Sequence, residues 1–302
     1  MKSRSSPLPR TQGPAQRAPV APPRSHAPVR PNQVQPFVRK LIWPVFILSI
    51  ANGLFLYGLP WLAEEWYAWP IRPAISAGAM GAGYLIGVLG AGMGLFVVTR
   101  WRPIRPFIPA IFAVGVLMTI ATLIHADRFR WGNPLTWLWI VVYVAIPIAA
   151  VLVWSLQERD VESKPAAANG LATIAGVSVA IGGVIGVTGV IGFVMPQSIM
   201  PLWPWPLTVL MTRALASWYV FMGVLLFVSG TTLRHVREIP IVHATVAGWA
   251  MLLLLLIPLH WSGARAGTGL MIWALCHALV FVFCALSALS SRERMRRSGV
   301  SF

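Results

Sequence analysis

The chain has 302 residues, 57% hydrophobic and only 11% charged, with a mean hydropathy of +0.71, which is too apolar for a soluble domain of this length. Its formal charge of +16 does not mark a nucleic-acid partner, because the basic residues sit in tails and short loops between apolar runs, as membrane topology requires. The two cysteines, Cys276 and Cys284, lie about 12 Å apart along one predicted helix, so they cannot pair, and no CxxC motif points to metal or redox chemistry.

Residues 1–38 hold nine prolines, six basic residues and no acid. With little to bury, the segment is expected to be a disordered tail. It is not a signal peptide, since no apolar run begins before Leu41. It reads either as a solvated tail that sets orientation or as a contact for anionic lipid, worth about 1 kcal/mol per basic residue near the surface.

From Leu41 onward, apolar runs recur that are long enough, as helices, to cross a hydrocarbon core of about 30 Å. Eight are predicted, over 41–60, 74–99, 107–125, 136–156, 171–195, 211–232, 241–260 and 268–290. Backbone groups cannot stay unpaired in lipid, and the runs are too long and evenly apolar for barrel strands. The expected fold class is therefore an all-α membrane protein: a transmembrane domain over 39–291 and a basic tail over 292–302. Short loops predict that consecutive helices pack as antiparallel neighbours.

Between the first two spans lies Pro60-Trp61-Leu62-Ala63-Glu64-Glu65-Trp66-Tyr67-Ala68-Trp69-Pro70-Ile71-Arg72-Pro73, with three of the 15 tryptophans. Amphipathic rings favour the headgroup layer and prolines end helices there, so this stretch belongs at a membrane surface. Basic residues are divided unequally between the two sides of the predicted bundle. Those flanking the termini and the even-numbered loops far outnumber Arg72, Arg128, Arg130, Arg213 and Arg265 on the other side. Both termini are therefore expected in the cytoplasm, with the protein in the cell membrane.

Spacing by four places Gly83 with Gly87, Gly90 with Gly94, and Gly182 with Gly186 on helix faces suited to close packing, either within the bundle or at a dimer seam. Pro147 should free the carbonyl of Tyr143 and kink its helix. A shift of 136 residues superposes spans one to four on five to eight. It carries Pro60 and Trp69-Pro70 onto Pro196 and Trp205-Pro206, and Trp137 onto Trp273. Two parallel four-helix halves, 39–156 and 171–291, would follow.

The run Glu64 to Pro73, followed by Ala77 and Gly81-Ala82-Gly83-Tyr84, resembles a signature shared by a group of bacterial multi-pass membrane proteins with no established activity. Thr208, Thr212, Arg213 and Ala214 resemble the same group less closely. The resemblance implies a bacterial membrane protein and transfers no catalytic residue.

Intramembrane polar groups are costly and therefore functional candidates. No Asp, Glu, Lys or Arg lies mid-span, which argues against a proton pump, a voltage sensor or a carboxylate-coupled cation carrier. Asn52, Tyr57, Tyr84, Tyr143 and His277 remain as intramembrane polar candidates, each with an ordinary packing role as the alternative. His125 and His260, at equivalent span ends, would suit axial haem ligation, but no second pair stands at matching depth, and no cofactor is expected. Glu64, Glu65 and Arg213 belong to a charged outer cap, read as solvated ion pairs or as an acid–base site. No phosphate-binding loop, HExxH or GxSxG motif occurs.

The candidate substrate contacts are thus Asn52, Tyr57, Glu64, Glu65, Tyr84, Tyr143, Arg213 and His277, with no catalytic or metal-binding residue assigned. The expected role is a non-catalytic membrane subunit or scaffold embedded in the lipid bilayer. A transporter or channel for a small neutral or weakly charged solute is the alternative, ahead of a membrane enzyme using the Glu/Arg cap.

Overall fold

A computed structural model describes residues 33–158 and 171–299. Eight long helices make up the bundle: α1 Pro36–Gly53, α2 Ala74–Phe96, α3 Phe107–Ile124, α4 Pro134–Gln157, α5 Ala172–Val194, α6 Val209–Thr232, α7 Ile239–Leu259 and α8 Thr268–Arg297. Each is long and apolar enough to cross a membrane, α1 with the π turn Leu54–Gly58 that continues it. Local signals start several of them. Proline occupies the first turn of α1, α4 and α7, where its missing N–H costs nothing, and the side chains of Asn133 and Thr208 cap α4 and α6. Large apolar side chains such as Val141, Ile148, Leu275 and Leu279 face outward. In water that surface would drive aggregation, whereas hydrocarbon solvates it.

The helices pair as hairpins α1–α2, α3–α4, α5–α6 and α7–α8, and the hairpins join through α3 on α6 and α2 on α7. These six main pairings are therefore unchanged when each helix is exchanged for the one four places later, whereas the smaller α6–α7 contact has no counterpart of similar size between α2 and α3. Burial follows the same rule. The inner helices α2 and α6 are buried over 56% and 78% of their apolar windows, against 17% and 28% for the outer α1 and α5.

The connections repeat as well. After α1 the chain turns at Leu59 (φ −130°, ψ 47°) into the turns Pro60–Leu62 and Ala63–Trp66; after α5 it turns at Met195 (φ −123°, ψ 63°) into Pro196–Ile199 and Met200–Leu202. α3 ends at His125 and α7 at His260 with similar angles, and each leads into a single 3-10 turn. The N–H of Arg130 then bonds the Ala68 carbonyl at 2.8 Å, and that of Arg265 bonds Pro204 at 2.6 Å. These equivalences hold at the 136-residue shift or one residue less.

Three sequence expectations change. Residues 1–32 of the expected disordered tail lie outside the described residues, but 33–38 are ordered: Gln33 bridges to Arg100, the Val34 N–H bonds Thr99, and Val38 is buried. Composition could not show these long-range partners. The basic tail begins as helix, because α8 runs on to Arg297. Ser291 and Met295 are buried there, and Glu293 pairs with Arg296 and Arg297 one turn on. Consecutive helices pack extensively inside the hairpins, and α6 also touches α7, while the α2–α7 and α3–α6 contacts take the faces that α2–α3 packing would use.

Close contact explains the glycines. A Cβ on Gly223 of α6 would lie 2.3 Å from the Gly186 nitrogen of α5, and one on Gly83 of α2 would lie 2.5 Å from the Trp218 ring of α6. Gly83 and Gly87 serve different neighbours, however, for Gly87 faces Ser49 of α1. At Pro147 the freed Tyr143 carbonyl is taken up by the Thr119 hydroxyl at 2.8 Å, and Gly115 leaves room for the proline ring.

Candidate functional site

The two halves each build an aromatic cluster toward the end of the bundle that carries the Trp-Pro stretches. In the first, Tyr67 and Trp69 from the α1–α2 connection meet Trp139 and Tyr143 of α4. The Trp69 and Trp139 rings are 4.7 Å apart, edge to face, the geometry that ring quadrupoles favour. Trp139 donates to the Thr122 hydroxyl at 2.9 Å. Tyr84 and Tyr143 share a hydrogen bond of 2.7 Å. The Tyr67 hydroxyl adjoins Tyr84 and lies 3.4 Å from the Asn52 amide oxygen. Asn52, Tyr84 and Tyr143 are thus brought together, with Tyr67 as the linking group.

In the second half, Trp203 and Trp205 from the α5–α6 connection meet Trp273 and His277 of α8 and Tyr219 of α6. The geometry dictates the histidine tautomer. Nδ1 lies 2.7 Å from the Trp273 carbonyl, which can only accept, so Nδ1 carries the proton and Nε2 accepts from the Tyr219 hydroxyl at 2.9 Å. The Tyr219 oxygen accepts in turn from the Trp273 indole at 3.2 Å. His277 is therefore a packing group whose two nitrogens are both engaged. The void beside Tyr219 measures about 10 Å³, no more than one water requires.

Tyr57 belongs to neither cluster. It stands in the π turn after α1 and donates to the Leu252 carbonyl of α7 at 2.9 Å, tying the first half to the second. Arg213 also spans the halves: it bonds His125 Nε2 at 2.7 Å and the Phe193 carbonyl at 3.1 Å. His125 lies just beyond α3, and its pKa is lowered below the ordinary 6.5, first by burial and then by the Arg213 guanidinium.

Glu64, Glu65 and Arg213 do not form one cleft. Glu64 pairs with the exposed Arg72. Glu65 lines an open, mostly apolar groove of about 560 Å³ with Phe55, Leu62, Trp66 and Asn133. What holds this connection is its backbone. Arg130 donates to the carbonyls of Glu64 and Glu65, Asn133 donates to Trp66 at 3.0 Å, and Thr136 donates to Ala68 at 3.1 Å.

Sequence reading missed Tyr219 and His243, both buried in spans. His243 of α7 meets Ser178 of α5 at 3.0 Å. The rule that intramembrane polar groups are costly applies equally to both, and scanning every span for Tyr and His would have found them. Tyr67 had no such signal, because its sequence places it in a surface loop and only the fold turns it inward. Among the described residues, no three His, Cys, Asp or Glu side chains gather in a way that could hold a metal ion. No family model, curated protein or solved structure matches this chain.

Proposed function

We propose that the chain is a non-catalytic integral-membrane subunit, a rigid helical scaffold whose basic end faces the cytoplasm. The observation that carries this reading is the use of interior polar groups on one another. Tyr84 with Tyr143, and Tyr219 with His277 and Trp273, bond one another in close-packed aromatic surroundings, and the exceptions beside them are the buried indole N–H groups of Trp203 and Trp218. A substrate site instead keeps a few polar groups aimed into a hollow. The test is purification from native membranes at natural abundance in mild detergent. A second polypeptide in constant stoichiometry is expected; recovery as a single species that also carries saturable solute flux in proteoliposomes overturns the reading.

Transport of a small neutral solute is the second reading. It is favoured by the two-half plan, with helices of each half crossing to the other, and by the π turn that ends the first span beside that contact. Uptake of labelled solutes into proteoliposomes tests it, and a transport role further requires that flux respond to Tyr57→Phe, which frees the α7 carbonyl.

A further inference from the structure

The groove beside the first Trp-Pro stretch is not filled by the packing of the bundle. Its lining divides into an apolar set, Phe55 of the π turn, Leu62 and the Pro134-Leu135 start of α4, and a polar set, Glu65, Trp66 and Asn133. At about 560 Å³ it has the size of a small-ligand site, about 300–1,000 Å³, but it is open to its surroundings. These residues stand at the ends of spans, where hydrocarbon gives way to headgroups. An occupant therefore needs an apolar body and a polar end.

The lining carries a single charged side chain. Glu65 is exposed, and among the described residues no hydrogen bond or ion pair engages its carboxylate. The cations of this connection are committed elsewhere, for Arg72 pairs with Glu64 and Arg130 donates to the carbonyls of Glu64, Glu65 and Tyr67. Asn133 is spent as well, its amide nitrogen on the Trp66 and Tyr67 carbonyls and its amide oxygen on the Leu135 N–H. What remains to recognise a ligand is a carboxylate beside an exposed indole, and both attract a cation.

The counterpart connection lacks this chemistry. The 136-residue shift puts Pro201 in the place of Glu65 and Leu202 in that of Trp66, and a Cβ on Gly269, the counterpart of Asn133, would lie 3.2 Å from the Leu202 carbonyl. There the connection has closed on its helix; the acid belongs to the half that has the groove.

We propose that the groove binds an aminophospholipid of the surrounding bilayer, with its primary ammonium on Glu65 beside Trp66 and an acyl chain along Phe55, Leu62 and Leu135. A primary ammonium neutralises a carboxylate and also donates hydrogen bonds to it. A choline headgroup cannot donate, and an anionic headgroup is repelled. The site goes beyond the scaffold reading and does not depend on a protein partner.

The test is native mass spectrometry of the purified full chain in neutral detergent, with phosphatidylethanolamine, phosphatidylcholine and phosphatidylglycerol of identical acyl chains offered at equal concentration. Phosphatidylethanolamine should be retained about threefold more than either, the size expected of a partly exposed ion pair. Glu65→Gln should erase that preference, and Leu135→Trp, which fills the groove without changing charge, should lower retention by a similar factor. Both side chains are exposed, so both variants should melt as the wild type does. Asp127→Asn, which removes an exposed acid outside the groove, should keep the preference. Equal retention of the three lipids overturns the proposal, as does a preference that survives both groove variants or is lost equally in Asp127→Asn. A dimer that both groove variants dissolve also overturns it, because a second copy of the chain would then be the occupant.

Discussion

The hairpin α1–α2 and its counterpart α5–α6 occupy equivalent places and pack by different means. In the first, the glycines along α1 and α2 meet mainly side chains, Gly87 opposing Ser49 and Gly53 opposing Leu85, and main chain is met closely at Gly81, against Leu56 and Tyr57 of the turn after α1. In the second, backbone meets backbone, with Gly223 against Gly182 and Gly186, and Gly189 against Val220 and Ala216. A side chain can rotate away from an added methyl group, whereas two main chains can only separate, and separation loses dispersion contacts along the whole interface. The shared plan thus leaves each half free to choose its contacts, and tolerance to change should differ between halves at equivalent positions.

The largest effect expected is at Gly223. Gly223→Val should destabilise by about 3 kcal/mol or more, the upper range for overpacking a tight contact, while Gly87→Ala should cost about 1 kcal/mol or less. Unfolding titrations in mixed detergent micelles measure both, and equal costs would break the contrast between the hairpins.

The aromatic-end connections differ in the same sense. Arg130 clamps the first with its side chain, whereas Arg265 holds the second through its backbone N–H alone among the described residues and has an exposed side chain. Arg130→Gln should therefore cost about 2 kcal/mol through lost charge-assisted bonds. Arg265→Gln should fall within about 0.5 kcal/mol of wild type. Limited proteolysis near Trp66 gives an independent reading, with faster cleavage expected only in the Arg130 variant.

Within the clusters, Tyr143→Phe removes one hydroxyl from a pair and should cost about 1 kcal/mol. His277→Phe removes both an acceptor and a donor, leaving the Tyr219 hydroxyl without its acceptor, and should cost about 2 kcal/mol. A reversed order would show that the first cluster, not the second, is the more tightly coupled.

The smallest effect is in pH. The pKa of His125 is lowered on folding by burial and by Arg213, and that of His260 by burial alone. Protonation therefore favours the unfolded chain. The stability tied to the neutral imidazoles is complete above pH 6.5, the ordinary value, and is lost as pH falls from there toward the lowered pKa. In melts between pH 5 and 8, His125→Gln should flatten the acid-side decline more than His260→Gln, because only His125 has an arginine partner.

Local chemistry made the eight spans legible, together with their approximate ends, the close approach at several glycines, the carbonyl freed by Pro147 and the 136-residue echo. Hydropathy, breaker residues and spacing by four act within one helix or along one connection, and a single sequence displays them directly. Of the candidate residues, Tyr84 with Tyr143 and His277 were visible as costly polar groups, although their partners were not. Tertiary structure alone decided that α2 meets α7 and α3 meets α6, that Tyr67 turns inward, that Arg130 grips a backbone, and that Arg102 faces its own counterpart Glu238. Each of these contacts joins residues far apart in the chain. Its energy comes from geometry that exists only once distant helices and connections have packed, within a half for Tyr67 and Arg130 and between the halves for the others, so no local pattern could announce it.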